Sequence, residues 1–205
     1  MKVICVRHGE SEANLIREFS NRCCKHPLTE KGREQANELC QKLKSEKIIK
    51  IYSSPVLRAM QTSEIIAKHF NMDFSVDENL REFDVGIYEG TSHQKGWNRY
   101  IEVVDSWIRN DDIHNKMEGG ESLSDIITRL TNILTLVKNN YNQVDGLILL
   151  VGHNGLYRCG LPKTIKNLSY EFTEKYQIEH GSLINLNYQN EEYDCQQWCG
   201  VVPFE

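Results

Sequence analysis

Two histidines and two arginines stand just past the ends of apolar, strand-like runs, and together they could bind and attack a phosphate ester. Arg7 and His8 come directly after the run Val3 to Val6. Arg58 falls in the first turn of a helix expected after a strand over residues 48–52, and His153 comes after the run Leu147 to Val151. In open parallel sheets ligands sit beyond the carboxyl ends of the strands, so these four side chains are expected to converge. A guanidinium presents a planar fork of donors matched to phosphate oxygens. A neutral imidazole can act as a nucleophile, and nearby arginines help keep it neutral while stabilising the moving phosphoryl charge. The leaving oxygen then needs a proton. Glu82 and Asp84, in Leu80-Arg81-Glu82-Phe83-Asp84-Val85-Gly86, are the candidates, and position alone does not choose between them.

These side chains must be carried by alternating strands and helices. A helix over residues 30–44 has the apolar stripe Ala36, Leu39, Cys40 and Leu43. Ser54 and Pro55 read as the cap and first-turn proline of a helix lined by Ala59, Ile66 and Phe70. Ser122 and Asp125 form a capping pattern ahead of Ile126, Leu130, Ile133 and Val137. Parallel strands need crossover connections, so this alternation predicts an α/β fold with a mainly parallel sheet and helices on both faces. Residues 182–188 and 193–201 are expected to form a terminal strand pair. Residues 91–120 keep helical spacing at Trp97, Ile101, Val104 and Ile108 and read as a helical excursion over the active-site edge.

The chain has 205 residues, 40% apolar and 26% charged, enough for one core, and no linker or repeat divides it, so a single domain over 1–205 is expected. A net charge of −5 argues against a general nucleic-acid surface. The apolar run at the start is too short for a signal peptide or a membrane span, which makes the cytoplasm the expected location. The seven cysteines are scattered without zinc-knuckle spacing and read as free thiols; adjacent Cys23 and Cys24 are the pair for which a redox role is conceivable. A metal site built from His8, His153, Glu82 and Asp84 is a further conceivable arrangement.

The run Arg7-His8-Gly9-Glu10-Ser11-Glu12-Ala13-Asn14 resembles the signature of the histidine phosphatase superfamily, the phosphoglycerate mutase-like proteins. Further matches occur in order along the chain: Pro27-Leu28-Thr29 with Gly32, Gln35 and Ala36; Ser53-Ser54-Pro55 through Arg58-Ala59 and Gln61-Thr62; Glu82 with Gly86 and Glu89-Gly90; Gly119-Gly120-Glu121-Ser122; and Gly152-His153. The resemblance implies a three-layer α/β/α sandwich, no metal or organic cofactor, and a small phosphorylated substrate. It also implies roles: His8 phosphorylated during turnover, Glu82 the proton donor, Arg7, Arg58 and His153 gripping the phosphoryl group, and Asn14 a further contact. Ser11 with Glu12 points to the small intracellular branch. The loop after Asn14 departs from the family pattern at Arg17, Ser20-Asn21 and Cys23-Cys24, and Asn154-Gly155-Leu156-Tyr157-Arg158 comes after the second histidine in place of a Gly-Gly pair.

Within that family the sequence favours a phosphatase over a mutase. Mutases resemble one another in an arginine after the catalytic glutamate and an arginine pair in the excursion; here Phe83 comes after Glu82, and Arg99 and Arg109 stand alone. A non-catalytic phosphate-binding module is the remaining alternative. His93, Lys95 and Arg99 are candidates to meet a second anionic group, though solvent exposure suits them equally; His26, His69, His114 and His180 carry no better signal. No membrane partner is expected, and no oligomeric state is assigned.

Overall fold

The computed structural model describes residues 1–22 and 25–203, so Cys23 and Cys24 lie outside the described residues. Six strands form one sheet in the order β3-β2-β4-β1-β5-β6, where β1 is Lys2–Arg7, β2 Ile48–Ser53, β3 Ser75–Val76, β4 Leu147–Gly152, β5 Leu183–Gln189 and β6 Glu192–Trp198. The first four run parallel, and β5 and β6 add an antiparallel pair against β1. Among the described residues no helix is long and apolar enough to cross a membrane.

β4 is buried at every position because both faces of the sheet are covered. Its alternation sorts the core. Leu147, Leu149 and Val151 face one way with Ile4, Val6 and Ile51, and they pack against the stripes of α2 (Glu30–Leu43) and α3 (Leu57–His69). Ile148 and Leu150 face the other way with Val3, Cys5, Ile184 and Leu186, beneath α5 (Leu123–Tyr141) and α6 (Asn154–Thr164). The result is the three-layer α/β/α sandwich. The excursion folds as α4 (Gln94–Arg109), whose Val103, Val104 and Trp107 are buried in the second core.

The capping pattern at Ser122 and Asp125 is present, with the Ser122 backbone amide and hydroxyl both donating to Asp125 and the Asp125 amide donating back to the Ser122 hydroxyl. One helix start differs from expectation. Ser54 and Pro55 do not begin α3, whose cap is Val56 and whose first residue is Leu57. The Ser54 backbone instead extends the pairing of β2 with β4, donating to Val151 O at 2.9 Å, and its hydroxyl is occupied by Val56 N and by His153. Short helices α1 (Glu12–Ile16) and α7 (Tyr170–Lys175) complete the chain.

Candidate active site

Adjacent strands bring the chemistry together. β2, β4 and β1 are consecutive in the sheet, and their carboxyl ends carry Ser54 and then Arg58, His153, and Arg7 with His8. Arg7 is level with Gly152 in the parallel register, and His8 N donates to Gly152 O at 3.1 Å. The next residue on each strand is therefore a histidine beside a histidine, with ring centroids 5.0 Å apart. The turn after His8 is compact. A Cβ on Gly9 would lie 2.2 Å from Gly32 O, so only glycine permits this close approach to the start of α2.

His8 is buried, and its two ring nitrogens have different tasks. Nδ1 lies 2.6 Å from Gly9 O, an acceptor, and Nε2 lies 2.9 Å from Arg58 Nε, a donor. The network therefore assigns the proton to Nδ1 and the lone pair to Nε2. Burial, then the charges of Arg58, His153 and Arg7, hold the imidazole well below the usual histidine range, so it is neutral. Nucleophilic attack requires that state.

Arg58 ties the centre together, donating to His8, to Ser20 O at 2.6 Å and to Asn21 Oδ1 at 3.5 Å, with its third nitrogen 3.3 Å from His153 Nδ1. His153 is fully buried and its Nε2 lies 2.8 Å from the Ser54 hydroxyl. Burial and the positive charges of Arg58 and Arg7 lower it strongly as well. Arg7 donates to Ile178 O at 2.5 Å and to His180 Nε2 at 2.9 Å, while its buried Nε has no partner. Asn14 Oδ1 accepts from the Ser11 amide and hydroxyl, which leaves its Nδ2 free to donate.

Glu82 arrives differently from the others. β3 ends at Val76, six residues earlier, so no strand end delivers the carboxylate to the rim. It rests instead on the first turn of α6. Gly155 N donates to Oε2 at 2.8 Å, and Leu156 N and Phe83 N donate to Oε1 at 2.8 and 3.0 Å. A carboxylate has about four acceptor positions. Three are filled, and the vacant one is on Oε2. Asp84 is excluded from this position: Arg22 grips both of its oxygens, and Oδ1 also accepts from Gly86 N.

Arg7, His8, Asn14, Arg58 and Glu82 line one pocket of about 260 Å³, together with Glu18, Phe19, Asn21, Trp97, Tyr100, Asn154 and Arg158. His153 touches this group through Arg58 and does not itself line the pocket. Among the described residues no three His, Cys, Asp or Glu side chains are placed to share a metal ion. The arrangement is a small cavity lined by arginines, with a neutral imidazole and a carboxylate in its walls.

The sequence comparison agrees with this geometry. The description "Histidine phosphatase superfamily (branch 1)" matches residues 3–200. The chain belongs to the histidine phosphatase superfamily. A relative within reach by sequence is the probable phosphoglycerate mutase GpmB of Photorhabdus laumondii, 30% identical over 204 residues that cover 97% of this chain and 90% of that protein. In fold, the chain superposes on the mycobacterial glucosyl-3-phosphoglycerate phosphatase with a TM-score of 0.83 at 21% identity, covering 98% of this chain and 99% of that one. YhfR of Bacillus stearothermophilus gives 0.82 at 22%, with 100% and 99% covered. The superfamily's fold is thus reproduced along nearly the whole chain.

Two residues that support the site carry no recognised signal in the sequence: His180, outside the pocket, and Asn21, in its wall. His180 supports Arg7, and its ring lies 5.7 Å from that of His8. Burial, with Arg7 second, lowers it to about 4. The only local hint is its place three residues before the last strand pair. Asn21, in the loop that departs from the family pattern, donates to Phe83 O and receives Arg58. The suggested second-anion residues are elsewhere. His93 caps α4, and Lys95 and Arg99 line a separate groove, where Arg99 is held by Glu102, Asn115 and Lys116 O.

Proposed function

We propose that the protein is a phosphatase that hydrolyses a small phosphomonoester through a phosphohistidine on His8. The observation that carries this reading is the His8 Nε2 lone pair, neutral and buried in a pocket whose walls also hold Arg7, Arg58 and Glu82. In the first step Nε2 bonds to phosphorus and the ester P–O bond breaks. The leaving oxygen takes the proton carried at the vacant position of Glu82 Oε2. In the second step water attacks the phosphohistidine, Glu82 takes up the water's proton, and the N–P bond breaks to return His8 and inorganic phosphate. Arg58, Arg7 and Asn14 Nδ2 supply donors for the phosphoryl oxygens, which gain charge as the bond breaks. His153 holds Arg58 in place beside the phosphoryl site.

A mutase shares the first step and differs in what takes the phosphoryl group from His8. Hydrolysis is the better reading because no arginine of α4 reaches the pocket: Arg99 is held by Glu102 and Asn115, and Arg109 pairs with Glu174 and Asp105. A cytoplasmic setting suits the free thiols of Cys5, Cys40, Cys159, Cys195 and Cys199. The test is His8→Ala: phosphate release from p-nitrophenyl phosphate and acid-labile labelling by a 32P-phosphoester should both vanish, and a variant with full turnover ends the proposal. Activity should persist in a chelator. Formation of 2-phosphoglycerate from 3-phosphoglycerate and a bisphosphoglycerate primer, without net phosphate release, would transfer the protein to the mutases.

A further inference from the structure

Arg158 is poorly paired inside the protein. Its side chain is only 23% exposed, its Nε is buried without a partner, and its guanidinium makes no hydrogen bond among the described residues. The nearest opposite charge, Glu174 Oε1, is 3.9 Å away and is held more closely by Arg109 at 3.2 Å. Five donors on a mostly buried cation without an acceptor are costly unless something outside the chain supplies one. One helical turn earlier on the same face of α6, Asn154 shows the complementary deficit: its Oδ1 is buried and unpartnered. Both residues line the active-site pocket.

They stand on α6, whereas Arg7 and His8 come from the end of β1 and Arg58 from α3. The charges acting most strongly on His8 are Arg58, His153 and Arg7, whereas the charge of Arg158 acts on the Tyr100 hydroxyl and on Cys159. Tyr100, on α4, lines the same pocket and stacks on Phe83 with ring centroids 5.3 Å apart. A cavity of about 260 Å³ is below the usual 300–1,000 Å³ of sites for drug-sized ligands, so both ends must be filled by one small molecule.

We propose that Arg158 and Asn154 form a second subsite, which selects small phosphomonoesters bearing a carboxylate and a neighbouring hydrogen-bond donor. The planar carboxylate takes the guanidinium fork of Arg158, and a hydroxyl or ammonium beside it donates to Asn154 Oδ1. Tyr100 lines the same pocket beside them. This inference rests on the phosphatase reading and adds the substrate class to it.

The test compares two three-carbon esters that differ at one end, 3-phosphoglycerate with its carboxylate and glycerol 3-phosphate with a hydroxymethyl group, beside p-nitrophenyl phosphate. The wild-type protein should favour the carboxylate by roughly tenfold to a hundredfold in kcat/KM, the worth of one charged hydrogen-bonded contact. Arg158→Met should erase that preference by lowering kcat/KM for 3-phosphoglycerate. Its turnover of the other two esters should fall less than that of 3-phosphoglycerate. Arg158→Lys should recover part of the preference, because it restores the charge without the fork.

Equal wild-type rates on the two three-carbon esters would overturn the subsite and leave the phosphatase reading standing. That comparison needs no variant, so a poorly folding Arg158→Met does not weaken it. A folded Arg158→Met that keeps the preference also overturns it. No release from any of the three esters would overturn the phosphatase reading, and the subsite with it.

Discussion

Arg129→Met is the most exacting test of how Glu82 is held. Arg129 is 16% exposed and pairs in parallel with Glu121, Nε to Oε1 at 2.8 Å and Nη2 to Oε2 at 2.9 Å. Its Nη1 donates to two carbonyls, Asn79 O and Arg81 O, both at 2.9 Å. Glu121 Oε2 accepts from Asp84 N. The pair therefore grips the chain before and after Glu82, so that the carboxylate meets the amides of α6. Removing one partner of a buried ion pair costs about 3–5 kcal/mol, and the 24% exposure of Glu121 places this case at about 3 kcal/mol.

For a chain of this size a loss of that order lowers the melting temperature by about 6–12 °C. Turnover should fall further than stability explains, because a displacement of about an ångström at a catalytic group costs up to ~100-fold. We expect kcat on p-nitrophenyl phosphate to drop ten- to hundredfold well below the melting temperature, with KM little changed. Arg129→Lys should rescue poorly, since an ammonium cannot serve Glu121 and two carbonyls with one planar fork. A stability loss of less than about 1 kcal/mol in urea unfolding, with kcat within twofold of wild type, would refute the reasoning.

Gly155→Ala attacks the same carboxylate from the other side. A Cβ there would lie 2.6 Å from Phe83 Cε1 and 2.7 Å from Glu82 Oε1, so both must shift; a loss of about 1–3 kcal/mol and a clear fall in kcat are expected in melts and turnover assays, and unchanged kcat would count against the seat. Acid should destabilise the fold through His8, His153 and His180, whose folded values all lie below the ordinary histidine value of 6.5. Between about 6.5 and the lowered values the unfolded chain binds more protons. Stability is therefore full above 6.5 and is lost as pH falls through that window, which for His180 extends to about 4. Urea midpoints that stay flat from pH 7 to 5 would contradict this. The lowered His8 also predicts that kcat/KM keeps no acid limb near 6.5, read directly from a pH–rate profile.

Strand ends were legible because their signal is local. Apolar runs ending at Val6 and Val151 place His8 and His153, and the rule that ligands gather beyond parallel strands groups them with Arg58. The same argument could not decide between Glu82 and Asp84. That choice depends on Arg22 and Arg129, which are about 60 and 47 residues away in sequence and visible only once folded. The misplaced start of α3 has a similar origin. Ser54 and Pro55 match a capping pattern, but the Ser54 hydroxyl is taken by His153, a partner 99 residues distant. Arg158 was legible as a residue and not as a site, because an unsatisfied guanidinium is defined by its surroundings.

The first turns of α6 explain why the acid and the substrate subsite should be coupled. His153 caps the helix, Gly155 and Leu156 amides hold Glu82, and Asn154 and Arg158 face the pocket one turn apart. These residues lie within six consecutive positions of one helix packed against α5, so none moves independently of the others. A carboxylate drawn onto Arg158 pulls on the element that orients Glu82. Binding energy from the non-reacting end of the substrate can then be spent at the reacting end, and a substrate lacking the carboxylate should lose kcat as well as affinity. That expectation separates a coupled helix from a passive anchor: with glycerol 3-phosphate, a passive anchor would raise KM alone, while the coupled helix lowers kcat too.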